Sequence, residues 1–77
     1  MNDNDILKEA FDASGMKQVD IAKILNVSRP TVSTHFNRKN IGLRVFVRLL
    51  TVMGYKVCVG KDENGQFVPM WEVKENE

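Results

Sequence analysis

The segment Met16–Asn37, with the sequence MKQVDIAKILNVSRPTVSTHFN, decides the fold of this chain. Its first half places apolar residues at helical spacing and ends at Asn26, a residue type that tolerates the left-handed backbone of a tight turn. Ser28 is a favourable helix N-cap, and Pro30 fits the first turn of the helix that follows. The pattern predicts two short helices, about residues 17–25 and 29–36, joined by a turn of three to four residues.

Helical patterns also lie on both sides of this segment. Apolar residues recur at helical spacing from Ile6 to Phe11, and Gly15 then predicts the end of a first helix at residues 4–13. The segment Ile41–Met53 is apolar apart from two arginines and a threonine, and it closes at Gly54, which predicts a fourth helix. Its apolar residues form two stripes, Leu43, Phe46, Val47 and Leu50 on one and Val45, Leu49, Val52 and Met53 on the other. A helix that is apolar on two sides is expected to be buried on two sides.

From Tyr55 onwards the apolar residues alternate with polar ones, as in a β-strand. The dipeptide Asn64–Gly65 between two such runs is a strong hairpin signal, so strands are predicted at residues 55–60 and 67–73. Pro69 has no amide proton to donate, so its amide side must face an edge or a bulge. Residues 74–77 are predicted to form a frayed tail.

The charges divide the chain into three parts. The first 15 and last 16 residues are acidic, whereas residues 16–61 hold nine Lys and Arg residues against Asp20 alone, a net charge of +8. Such a segment is typical of a protein that binds a polyanion, although an ordinary solvated surface whose charge varies along the chain could have the same net charge. The motif in Met16–Asn37 must decide between these interpretations.

Size and composition exclude several other classes. A chain of 77 residues with 43% hydrophobic residues forms one small domain with a marginal core. Cys58 is the only cysteine, which excludes a disulfide framework or a thiolate zinc site and favours a reducing compartment. The sequence has no apolar run of about 18 residues and an acidic start at Asn2–Asp5, so we expect a cytoplasmic protein without a membrane partner.

The segment Met16–Asn37 resembles the helix-turn-helix of the phage Cro and repressor-like family of transcriptional regulators. Ala22, Val27 and Val32 stand at the helix crossing, in the turn and on the second helix, and Gln18 stands where this family commonly begins its second helix. The resemblance extends through Gly54. It implies a mainly α fold, with a four-helix, lambda-repressor-like domain at residues 1–54 and a dimerising two-stranded β element at residues 55–77. The second helix of the motif is then expected in the DNA major groove.

Two positions depart from the family pattern. Asn26 replaces the usual turn glycine, which is a mild change because Asn tolerates positive φ. His35 stands where a branched aliphatic residue is usual, and we expect partly buried packing there in preference to a base contact or a pH sensor.

The resemblance implies two sets of DNA contacts. The base contacts are predicted at Arg29, Thr31, Ser33 and Thr34, and the phosphate contacts at Lys17, Gln18, Asn37, Arg38 and Lys39. Arg29 is the first candidate for specificity, since a guanidinium can bind guanine O6 and N7 together. The alternative is that Arg29 extends to a phosphate, the commoner class of contact.

The C-terminal part is interpreted as a dimer module. The end of the fourth helix and the run from Gly54 to Val57 also resemble antitoxin-type helix-turn-helix proteins, in which a terminal strand pairs with its twin across a two-fold axis. The predicted interface comprises Val45, Leu49, Val52, Met53, Tyr55, Val57, Val59, Phe67 and Trp71. For Trp71, Met70 and Phe67, burial over the fourth helix is an equally good alternative.

These features predict a homodimeric repressor or autoregulator of a phage or mobile element, bound to a short palindromic operator. An antitoxin-like regulator that also binds a toxin, and a protein-binding adaptor that reuses the fold, remain alternatives. An enzyme is not expected, because no glycine-rich phosphate loop, carboxylate dyad or metal-ligand spacing is present. No cofactor or metal is expected either.

Overall fold

The computed structural model describes residues 1–75, which form four helices followed by one β-hairpin. The helices are α1 (Asp3–Ser14), α2 (Gln18–Leu25), α3 (Arg29–Asn37) and α4 (Leu43–Val52), and the strands are β1 (Val57–Glu63) and β2 (Gln66–Val73). This confirms the predicted fold class, a mainly α chain with a C-terminal hairpin. Within the described residues, no helix combines the length and apolar character needed to cross a membrane.

Local capping interactions fix the ends of the first three helices. The Asn2 side chain accepts a hydrogen bond of 2.9 Å from the Asp5 amide, and Asp5 accepts one in return from the Asn2 amide, so α1 begins with a capping box. Gly15 ends α1 in the left-handed conformation, with φ +71°. Ser28 accepts from the Thr31 amide and starts α3, as the sequence predicts.

Asn26 makes the turn between α2 and α3. Its backbone lies in the left-handed region at φ 57° and ψ 47°, which confirms the turn conformation predicted for this asparagine. The next amide, of Val27, donates to the Ala22 carbonyl over 3.0 Å and closes the end of α2. The amides of Asn26 and Val27 both donate to carbonyls of α2. Because the turn is short and held by these hydrogen bonds, the direction of α3 relative to α2 is fixed.

The core lies between the four helices. Leu7, Ile21, Val32 and Leu49 are fully buried at its centre, one from each helix. The rings of Phe11 and Phe36 pack at one side, with their centroids 5.1 Å apart and tilted by 56°. The predicted inward positions on α3, Val32 and Phe36, are confirmed.

The predicted start of the fourth helix at Ile41 is wrong by two residues. Ile41 is buried, but it enters the core from an extended segment, and α4 begins only at Leu43. Gly42, between them, has φ +84°, a backbone conformation that a helix does not contain. The chain therefore turns at Gly42 after its isoleucine has reached the core.

The two apolar stripes of α4 are not buried as two separate faces. Leu49 and Met53 are 0% and 7% exposed within a single chain, so they fill the protein's own core. Leu43, from the other stripe, is 64% exposed. Val45 and Val52 remain half-buried, at the edge of the core.

The hairpin is longer towards its turn than predicted, and β1 starts at Val57 because Tyr55 and Lys56 lie outside the strand. Asn64 and Gly65 both have positive φ, 54° and 81°, as a type I′ turn requires. In the register, Val59 pairs with Trp71 and Gly60 with Pro69, which leaves Met70 as a β-bulge next to the proline. The predicted need for an edge or bulge at Pro69 is thus met.

The hairpin extends away from the core. Phe67 and Trp71 are each 63% exposed and Met70 is 52% exposed, so burial of these residues over α4 is ruled out within one chain. Phe67 instead lies across Gly60, where an added Cβ would come within 2.5 Å of the Val68 carbonyl oxygen and would meet the Phe67 ring. The Phe67 ring therefore packs on β1 at Gly60, where no side chain is in its way.

The predicted frayed tail is only partly correct. Glu75 is partly buried and pairs with Arg48 on α4, so the chain is held to the domain beyond the last strand. Residues 76–77, the remainder of the predicted tail, lie outside the described residues.

Two leucines of α4 provide a test of this core. We expect Leu49→Ala to lower the free energy of unfolding by about 2–5 kcal/mol, because it leaves a cavity in a closely packed core. Leu43→Ala removes the same atoms from an exposed site on the same helix and should change stability by less than about 0.5 kcal/mol. Urea unfolding of both variants measures the difference, and equal losses would contradict the described packing of α4.

Candidate nucleic-acid interface

The outward side of α3 carries most of the predicted base contacts. Arg29 and Thr34 are exposed, whereas Thr31 and Ser33 are half-buried at the two borders of this side. Val32 and Phe36, on the opposite side, hold the helix to the core. The structure therefore brings the four residues to one helix, with Arg29 and Thr34 the most accessible.

Hydrogen bonds within α3 already engage several of these side chains. The hydroxyls of Ser28 and Thr31 lie 2.8 Å apart, at the cap of the helix. The Thr34 hydroxyl donates to the Pro30 carbonyl over 2.9 Å, and the Asn37 amide donates to the Ser33 carbonyl over 2.9 Å. Arg29 makes no side-chain hydrogen bond within residues 1–75, so its guanidinium retains all its donors for a ligand.

The cations predicted to bind phosphates flank this helix. Lys17 immediately precedes α2, and Arg38 and Lys39 immediately follow α3, all with exposed side chains. Among the described residues the ion pairs are Arg48 with Glu75 and Lys56 with Glu72, so none of these three cations has a carboxylate partner. Unpaired cations beside the exposed side of α3 are available to a DNA backbone.

Gln18 and Asn37 are placed differently from what a simple phosphate contact requires. Gln18 is half-buried at the start of α2, and its amide oxygen is buried without a hydrogen-bond partner within residues 1–75. Asn37 is exposed, and its amide is folded onto α3 by the bond to Ser33.

His35 is half-buried, in keeping with the expected packing role. Its burial lowers the pKa of the imidazole, and the nearby positive charges of Arg38 and Arg48 lower this pKa further. Both effects favour the neutral form of the imidazole over the charged form. This distinguishes it from the cations that flank α3.

The tip of the hairpin has the wrong charge for a phosphate contact. Asp62 and Glu63 are both exposed beside the turn, and the Asp62 carboxylate accepts a hydrogen bond from the Gly65 amide over 3.1 Å. Lys61 is the only cation in β1, and Glu72 lies on β2. DNA phosphates would be repelled from this end of the molecule, so the tip of the hairpin is not part of the candidate interface.

The predicted dimer residues separate into three groups. Leu49 and Met53 are buried in the chain's own core, and Val45, Val52 and Val57 are half-buried against it. The remaining four are exposed, namely Tyr55, Val59, Phe67 and Trp71. The apolar surface left for a partner is thus concentrated on the hairpin and the segment that leads into it.

Residues 2–38 match the sequence model of the winged helix-turn-helix DNA-binding family. The match covers α1, α2 and α3, which are the elements that carry the exposed recognition surface and its core contacts. The match supports a helix-turn-helix DNA-binding domain in residues 2–38 and, for the protein, the general role of a DNA-binding regulator. No curated protein and no solved structure shows significant similarity to the chain.

One feature of the site was missed by sequence reasoning. The ion pair between Arg48 and Glu75 joins α4 to the end of the hairpin, 27 residues further along the chain. This bond lowers the pKa of the Glu75 carboxyl, because the guanidinium stabilises its charged form. No local sequence pattern predicts this pair, because the two residues are neither on the same helix nor opposite each other in a sheet.

The phosphate role of Lys39 can be tested against a lysine on the hairpin. Lys39→Ala should weaken binding to all DNA sequences by a similar factor and reduce the slope of log K against log salt by about one. Lys61→Ala, which removes the same charge from the acidic hairpin, should leave this slope unchanged. Fluorescence anisotropy at several salt concentrations measures both, and an unaltered slope for Lys39→Ala would exclude this lysine from the interface.

Proposed function

We propose that the protein is a homodimeric, cytoplasmic repressor or autoregulator of the Cro type, which reads a short palindromic operator through the major groove. The observation that carries this proposal is the exposed side of α3, where, within residues 1–75, Arg29 makes no side-chain bond and the flanking cations have no carboxylate partners. A protein-binding adaptor would not need to combine these groups. Direct readout by a helix in the major groove uses both kinds of contact.

The hairpin supports the proposed dimer. An isolated two-stranded sheet is only marginally stable in water, and this one exposes Val59, Phe67, Met70 and Trp71. Val59 and Trp71 face each other across the strands and form one apolar surface. A second copy that covers this surface would remove apolar area from water and extend the sheet.

The register of the hairpin favours one edge for this pairing. A type I′ turn bonds Glu63 to Gln66, and bonded and non-bonded pairs alternate from there. By this alternation Gly60 and Pro69 turn their main-chain groups outwards. Because proline has no amide proton, the outer edge of β2 offers no hydrogen-bond donor at Pro69.

The outer edge of β2 is further interrupted by the bulge at Met70. On β1 the alternation is unbroken, so the main-chain groups of Cys58, Gly60 and Asp62 point to the outer edge of this strand. We therefore propose that two copies pair through β1, which gives a four-stranded sheet across the two-fold axis. This is the antitoxin-like arrangement that the sequence resemblance implies.

A second candidate function is the binding of a toxin protein by the same dimer. The observation that favours it is an open groove of about 870 Å³ between α2, α4 and the hairpin, lined in part by Ile24, Leu25, Val52 and Val57. This groove lies away from the exposed side of α3, so DNA and a protein could be bound together. Titration with the product of the neighbouring gene would test this function independently of DNA binding.

The dimer is tested by a charge placed on the hairpin. Wild-type protein at micromolar concentration should sediment at twice the 8.8 kDa of one chain. Trp71→Glu should give the monomer, because the charge cannot be buried against a partner, while the exposed position lets the chain fold. Lys8→Glu, an exposed charge reversal on α1 outside the hairpin, should remain dimeric, and a wild-type monomer throughout this range would refute the proposal.

The operator is tested through Arg29. A two-fold dimer presents two copies of α3, so the site should be an inverted repeat with half-site centres about 34 Å, or 10 base pairs, apart. Arg29→Ala should cost about 1–3 kcal/mol per half-site and relax the preference for guanine at one position only. Selection from random DNA, followed by single-base substitutions, measures both. A uniform loss over all substitutions would make Arg29 a phosphate contact.

A further inference from the structure

Three residues lie in one line along the exposed side of α3. Pro30, Thr34 and Asn37 follow each other at spacings of four and three residues, and all three are exposed. They lie opposite the buried pair Val32 and Phe36. This line is the part of α3 that points furthest from the core and faces the DNA in the proposed complex.

The hydroxyl of Thr34 cannot donate to a base in the observed arrangement. Its one proton is used in the 2.9 Å bond to the Pro30 carbonyl, inside the helix. What remains outward is the methyl group and the acceptor capacity of the oxygen. These groups suit the methyl of thymine and the amino groups of adenine and cytosine, and they do not suit the acceptor atoms of guanine.

The amide of Asn37 is held by one of its two N–H groups. That group donates to the Ser33 carbonyl over 2.9 Å and lies 3.5 Å from the Ser33 hydroxyl. The amide oxygen has no partner within residues 1–75, and the second N–H has at most the 3.5 Å contact to the Ser33 hydroxyl, which is longer than an ordinary hydrogen bond and leaves it able to donate to a ligand. A side chain fixed in this way loses less conformational entropy when it binds.

A free N–H beside a free carbonyl oxygen is complementary to the N7 and N6 groups of adenine in the major groove. We propose that Asn37 reads an adenine of the half-site, with Thr34 beside it against the A·T-rich part of the groove. This inference rests on the proposed function, and it moves Asn37 from the phosphate contacts that the sequence resemblance implies to the base contacts.

The spacing along α3 places this adenine relative to the guanine of Arg29. The two residues are separated by eight positions, or about 12 Å along the helix axis. At 3.4 Å per base, this is about three to four base pairs if the helix follows the groove. Both bases then lie within one half-site, the guanine at the Arg29 end and the adenine at the Asn37 end.

The test uses the full-length protein and duplexes of its selected operator. Replacement of the adenine by 7-deazaadenine removes only the N7 acceptor and should weaken wild-type binding several-fold. Asn37→Ala should lose roughly tenfold in affinity for the intact operator and become insensitive to this replacement. Lys39→Ala is the control, and it should retain the full sensitivity.

A second variant separates base reading from folding and from phosphate binding. Asn37→Asp keeps the shape of the side chain but offers only acceptors, so the preferred base at this position should change from adenine to cytosine, whose amino group is a donor. A changed preference cannot arise from a misfolded protein. Thermal unfolding of both variants checks that the helix end is intact.

The outcomes distinguish this inference from the proposed function. If Asn37→Ala and Asn37→Asp weaken binding to all sequences equally, Asn37 contacts phosphate and the inference fails, while the guanine preference of Arg29 still stands. If wild-type protein shows no base preference at any position, the proposed function itself fails. Adenine-specific loss in Asn37→Ala together with the switch in Asn37→Asp supports the inference.

Discussion

The turn at Asn26 is the constraint on which the DNA-binding surface depends. A left-handed residue at this point reverses the chain within a few bonds, so α3 crosses α2 at an angle that the backbone sets and the core then holds. Ile21 and Val32, on the two sides of the turn, are both fully buried and lock this crossing. Because α3 is attached by one narrow apolar stripe, the rest of its surface is left outside.

This arrangement explains why the charges divide as they do. Within residues 1–75 the cations Lys17, Arg38 and Lys39 beside α3 form no ion pair, and apart from Asp20 on α2 the acids lie on α1, on the hairpin and at Glu75. The acidic tip of the hairpin would repel a DNA backbone, in contrast to a wing that binds DNA. The exposed apolar side chains of Phe67 and Trp71 instead support the proposed role of the hairpin in contact with a second copy of the chain.

How well the sequence predicted each part depends on how local its causes are. The ends of α1, α2 and α3 were predicted within one or two residues, because caps such as Ser28 and the left-handed Asn26 act through neighbouring atoms. The start of α4 was misplaced, because Ile41 is apolar in either case and only the φ of Gly42 shows that the helix has not begun. The burial of Leu49 and Met53 within the chain could not be predicted either, because periodicity does not show whether an apolar stripe packs in the protein's own core or against a partner.

The same distinction applies within the site. Residue types were sufficient to select α3 and the cations around it, but the direction of a donor is set by rotamers, which no spacing reveals. Thr34 and Asn37 each send one N–H or O–H back into their own helix. The donors and acceptors that α3 offers to a ligand therefore differ from those that its residue types alone suggest. A cationic donor, Arg29, lies at the start of the helix, and neutral groups that include a free acceptor lie at its end. We call this difference between the two ends the hydrogen-bonding polarity of the helix. Guanine presents two acceptors and adenine one acceptor and one donor, so under the proposed function this polarity would orient the half-site along α3.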